Sequence, residues 1–197
     1  MLKKTIYAIS LCLLLILSGC TKSTQDKQWH AEIIENKAAT LQDVFLQNGS
    51  KKLIDIVASN DVVKMSNYNK IKANQIASYF QDKFKIDITE EFIDNPEGIV
   101  ILGLFYAKKE QQDADSQIMS KSTKNVMKTP DENMDCFMTA VGDFIGITQA
   151  KSIWNSIVMG ANEQTVIAAV KLIARRVAGI ITVTSMVYAT GSCLDWW

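Results

Sequence analysis

One histidine, two prolines and nine glycines occur in 197 residues, and the 21 basic side chains are balanced by 21 acidic ones. Each scarcity excludes something. A single imidazole, His30, over a hundred residues from the nearest cysteine of the body, leaves no partner for a nucleophile and no cluster for a metal. Neutral overall charge removes the electrostatic footprint that nucleic-acid binding requires. With only Pro96 and Pro130 to interrupt them, helices can run unbroken. Gly-x-Ser-x-Gly, P-loop and dinucleotide fingerprints are missing. The acids Glu90, Glu91 and Asp94 sit at a helix boundary, where carboxylates usually cap. These observations predict an all-α, non-catalytic protein with no cofactor and no metal.

What is present begins with a leader pattern. Lys3 and Lys4 precede the apolar run Ile6 to Leu17, which is too short for the roughly 20 residues needed to span a bilayer. The run ends in Leu17-Ser18-Gly19-Cys20, which resembles the lipobox of bacterial lipoproteins. That resemblance implies a signal peptide over 1–19, cleavage before Cys20 and acylation of the Cys20 thiol. Two or three acyl chains would anchor the chain stably where one would not. Thr21, not Asp, follows the cysteine, which in related lipoproteins favours the outer membrane if the envelope has two membranes. Removing residues 1–19 and their two lysines from 197 leaves 178 residues with 19 basic and 21 acidic side chains. The polar stretch over 20–29 is expected to be a tether.

An N-terminal helical domain is expected over 30–110. Ile34, Ala38, Leu41 and Phe45 form one stripe from Glu32 to Gln47, ended by Asn48-Gly49-Ser50. Leu53 to Met65 suggests a second helix, interrupted at Ser59-Asn60-Asp61. Ile71, Ile76, Tyr79, Phe80 and Phe84 mark a third, whose opposite face carries Lys72, Asp82 and Lys83 and reads as solvated surface. Asp94-Asn95-Pro96-Glu97 is a helix start by mechanism, and Lys108 and Lys109 suit its last turn. The segment between, Ile99 to Tyr106, is apolar on all sides and β-branched in its first half, which also suits a buried strand; agreeing caps at both ends and the lack of visible partner strands favour the central helix of the N-terminal core.

Residues 111–133 are polar and read as a linker. The composition then switches: residues 134–197 hold four acids, four bases and three of the four tryptophans. Phe137 to Gly160 predicts a helix loosened at Gly142 and Gly146, with Thr148 as a second N-cap. Gly160-Ala161-Asn162 is a turn. A helix to about Thr190 follows, with Val166, Val170, Ile173, Val177, Ile180, Thr184 and Val187 forming a seam. Two arms of roughly 36 and 42 Å, at about 1.5 Å per residue, make an antiparallel hairpin whose open ends are Cys136 and Cys193. An exported protein favours a disulfide between them, stabilising the fold by about 4 kcal/mol on the chain-entropy model.

Two function classes stay open. One is a lipid-anchored envelope protein, held at the membrane by Cys20, whose helical body binds a protein partner. The other is a carrier of a membrane-active C-terminal module, similar in general character to bacteriocin-like peptides. Lys171, Arg175 and Arg176, with Trp196 and Trp197, are the candidate membrane or partner contacts. A bilayer-spanning hairpin is disfavoured, because two arginines would lie near its centre. The first class is favoured, because no dibasic or double-glycine processing site lies in 111–133.

Overall fold

The structure is a computed structural model, and it describes residues 39–47, 50–119, 130–177 and 179–197. Every regular element among them is helical: α1 (Leu41–Leu46), α2 (Ser50–Ser59), α3 (Val62–Phe84), a 3-10 turn (Glu90–Phe92), α4 (Glu97–Met119), α5 (Pro130–Ile145), α6 (Ile147–Val158), α7 (Glu163–Val177) and α8 (Ile180–Cys193). The leader, Cys20, the tether and the first part of the stripe over 32–47 lie outside the described residues.

Local chemistry sets the boundaries. Thr40 and Asp43 form a reciprocal capping box at the start of α1. Asn60, at φ 50°, stops α2. The Asp61 carboxylate then accepts from the Val63 and Lys64 amides and starts α3. The interruption at Ser59-Asn60-Asp61 therefore falls where expected, but the helix after it runs straight on to Phe84, so the second and third expected helices are divided differently. Gly146, at φ 89°, separates α5 from α6 in a conformation that side chains other than glycine resist. Thr148 consequently lies inside α6 instead of capping it. Asn162 accepts from the Thr165 amide at 2.9 Å and caps α7, just after the turn at Gly160.

The organising element is α4. Ile99, Val100, Ile101, Leu102, Leu104, Phe105 and Ala107 all have 0% exposure. A helix apolar around its whole circumference must be covered on every side. Helices α1, α3, α6, α7 and α8 do so. Gly103 admits α3 closely: a Cβ there would meet the Ile76 side chain at 2.5 Å. Phe105 packs edge-on against Phe137 of α5 at 5.4 Å, and Tyr106 against Phe80 of α3 at 4.9 Å.

Several expectations are corrected. Helix α4 does not end at Lys109 but continues to Met119, because Lys109 pairs with Asp113 one turn on and Glu110 is held by α1 and α3. Lys108 is buried within it instead of closing its last turn. The expected linker is helical over 111–119 and again from Pro130, which takes the first helical position where no amide donor is needed. Asn95 does not cap α4; its amide donates to the Ala174 carbonyl at 2.8 Å. The seam over 166–187 belongs to two helices, α7 and α8, since helix is lost before Ile180 and Gly179 takes an extended φ of −145°. Each arm of the expected hairpin is thus a pair of helices. Its ends meet as expected: Cys136 and Cys193 are joined, with Cα atoms 5.7 Å apart.

The described residues belong to one compact unit, and helices from 30–110 pack against helices from 134–197. Buried Asn69 of α3 donates to the Ile180 carbonyl at 3.1 Å, and its Oδ1 lies 3.0 Å from the Thr184 hydroxyl of α8. Trp196 stacks on Phe45 of α1 at 5.5 Å. Asn69→Ala should therefore cost about 1–3 kcal/mol in chemical denaturation, because it strands buried polar groups. Asn69→Leu combined with Thr184→Val should recover part of that loss. If the single substitution is neutral, the polar tie between the two halves contributes nothing to the fold.

Candidate ligand cleft

A cleft of about 440 Å³ opens between α2 and α3, walled by Leu53, Ile56, Tyr68 and Ile71 and bordered by Lys52, Lys64 and Lys72 with Asp55 as its acid. Lys72 is its most unusual member. The residue is 1% exposed, although it was expected on the solvated face of its helix. Its ammonium donates to the Val44 carbonyl and, at 2.8 Å, to that of Gln47. Those are carbonyls at the C-terminal end of α1, which a helix leaves without partners and which attract positive charge. Burial, and after it the neighbouring Lys52, push Lys72 down to about 8. The ammonium also lies 5.5 Å from the centre of the Tyr68 ring. Tyr68 is four residues earlier on α3 and so shares its face.

Burial raises the Tyr68 phenol well above its ordinary value, which keeps it protonated. Its hydroxyl is inaccessible and has no hydrogen-bond partner among the described residues. A buried, unpaired hydroxyl is uncommon enough in folded proteins to require an explanation.

A second cluster gathers at the other end of α1. The Glu110 carboxylate accepts from the Leu41 amide at 2.9 Å, from the Tyr79 hydroxyl and from the Lys83 ammonium. Burial first, then the bond to Glu110, raises Tyr79. For Lys83, burial works downward, and the bonds to Glu110 and Tyr79 outweigh it, so the net shift is upward. All three groups are engaged in tying α1, α3 and α4 together. The arrangement is an anchor for a helix end.

The contacts expected in the C-terminal unit separate in the structure. Lys171 is engaged, pairing with Glu91 of the 3-10 turn at 2.6 Å. The side chains of Arg175 and Arg176 lie outside the described residues. Trp196 is corrected: at 6% exposure against Phe45 it is core, closed to any membrane or partner. Trp197 is half-buried, stacked on Tyr188 and donating to Ser192 at 3.1 Å. Among the described residues no three His, Cys, Asp or Glu side chains converge as a metal site, and no helix is long and apolar enough to cross a membrane.

The shift of Lys72 makes stability depend on pH. An unfolded lysine holds its proton to about 10.5, whereas folded Lys72 releases it near 8. Between those values the unfolded chain binds more protons, so raising the pH favours the fold. Wild type should gain on Lys72→Met by up to about 1.4 kcal/mol per pH unit from pH 8 to pH 10, measured by denaturant titration. The Met variant should be the less stable protein at every pH in that window, having left the α1 carbonyls uncapped. A pH-independent difference would place the Lys72 transition outside this window.

The chain matches no protein-family model, no curated protein and no solved structure, so no relative supplies a role for the cleft.

Proposed function

We propose that this chain is a lipid-anchored envelope protein, acylated at Cys20 and favouring the outer membrane where two membranes exist, whose helical body binds a protein partner without doing chemistry. The anchor rests on the resemblance of Leu17-Ser18-Gly19-Cys20 to a lipobox. The binding role rests on one observation: Ile54, Val62, Val63 and Ile71, on the two helices that flank the cleft, are large apolar side chains left between 39% and 70% exposed. Exposed apolar residues gathered on one pair of elements mark interaction surfaces better than single scattered ones. The covering of α4 needs none of them.

The carrier reading draws less support. Releasing a membrane-active C-terminal module would break the pairs Lys171–Glu91, Asn95–Ala174 and Asn69–Ile180, and would unstack Trp196 from Phe45. It would also strip the cover from α4.

Labelling cells with a palmitate analogue should mark the wild-type protein and leave Cys20→Ala unmarked; label retained by the variant would sink the anchor. For the partner face, a photo-crosslinking side chain placed at Val63 or Ile71 should give a discrete adduct in the native envelope, lost on Ile54→Lys. Equal adducts from Val158, 51% exposed on α6, would show that the α2–α3 face is nothing special.

A further inference from the structure

We infer that the protein bound by this face is a second copy of the same chain, the two meeting across a twofold axis with the α3 ridge of each, Val63, Asn67 and Ile71, laid in the α2–α3 cleft of the other. The inference rests on reading the α2–α3 face as a docking surface, and it names the occupant.

A twofold pair uses one patch twice, so the patch must carry both halves of the fit. This one does. Val63, Asn67 and Ile71 are spaced by four along α3 and form one ridge, about 12 Å long at 1.5 Å per residue. All three are exposed, Val63 to 70%. The groove lies directly beside them: Asn67 and Ile71 form one lip of the cleft, and Leu53 and Ile56 of α2 line the opposite wall. A ridge spaced by four, set into such a groove on a neighbour, is the commonest way in which two helices pack.

Charge selects the same occupant. The bases of the rim, Lys52 and Lys64, are offset by Asp55 and by Asp61, which lies 3.3 Å from Lys64. Lys72 lies deeper, 1% exposed, with its ammonium on the α1 carbonyls. A rim that carries both signs gives no advantage to a strongly charged partner and does not repel its own image. Asn67 is the middle of the ridge, so an axis through that point sets it against its own counterpart and pairs Val63 with Ile71 in both directions. The Asn67 amide holds a donor group and an acceptor, which makes it complementary to itself. The ridge is short, and the anchor proposed at Cys20 compensates by holding copies in one membrane plane at raised effective concentration.

The test uses full-length chains carrying two different tags, co-expressed in the native envelope, with a photo-crosslinking side chain at Val63. The adduct should carry both tags. Asn67→Asp in both copies sets like charges on the axis and should cut the doubly tagged adduct at least about tenfold, and Asn67→Lys in both copies should do the same. Combining one copy of each variant should restore the adduct to near its wild-type level, a recovery that neither a misfolded chain nor a different partner can produce. Melting temperatures should be unchanged, because Asn67 is exposed. Adducts that contain a different protein and never both tags would overturn the self-pairing and leave the face a docking surface, whereas no adduct at all would overturn both readings. An undiminished adduct in Asn67→Asp, or no recovery on combining the two variants, would overturn the twofold arrangement.

Discussion

A helix that is apolar around its full circumference cannot be half of anything, and the rest of this structure follows from covering α4. Each of Ile99, Val100, Ile101, Leu102, Leu104, Phe105 and Ala107 is fully removed from solvent. At roughly 1.5–3 kcal/mol for each large side chain, their burial is a major part of what opposes chain entropy. No single neighbouring hairpin can surround a helix. Cover has to come from both directions along the chain, α1 and α3 from before it and α6, α7 and α8 from after it. That requirement is why the C-terminal residues fold into the body and why Trp196 reaches Phe45.

Surrounding one helix with many short ones creates a second problem. Each added helix brings unpaired amides at one end and unpaired carbonyls at the other, some of them far from water. Helix α1, only Leu41–Leu46, is almost all ends. Its N-terminus is met by Thr40, Asp43 and the distant Glu110, and its C-terminal carbonyls by Lys72 from α3. Near the end of α7, Asn95 does the same for the Ala174 carbonyl. Long side chains anchored on one helix therefore finish another. Among the described residues, buried Lys72 and Asn69 are connectors of this kind between helices.

What was legible in the sequence, and what was not, divides along the same line. Periodicity and composition report on a helix and its own apolar face, so the all-helical class, the central position of Ile99 to Tyr106, the turn at Gly160-Ala161-Asn162 and the Cys136–Cys193 closure could be read directly. Periodicity says nothing about carbonyls elsewhere. Lys72 looked like solvated surface because a lysine opposite an apolar stripe usually is; its destination, the end of α1, is 28 residues away in sequence. The same blindness misassigned Asn95, whose local pattern fits a cap and whose actual acceptor is 79 residues on. Polar composition made 111–119 look like a linker, although a helix needs only one apolar or anchored face at its root to project polar turns beyond the core. The seam over 166–187 failed differently: its spacing is continuous, but the backbone turns extended at Gly179, so α7 packs on α4 and α6 while α8 packs on α3, α4 and α5.

The cleft arises from this economy of connectors. Lys72, which reaches the end of α1, is buried, and the hydroxyl of Tyr68, one turn earlier on the same helix, is also shut from water. Replacing Lys72 with an apolar residue would remove the charge from the cleft and uncap α1 together, so the polarity of the cleft is fixed by a structural need and persists whether or not anything occupies it. Held by two carbonyls, the Lys72 ammonium is fixed in place by the fold itself.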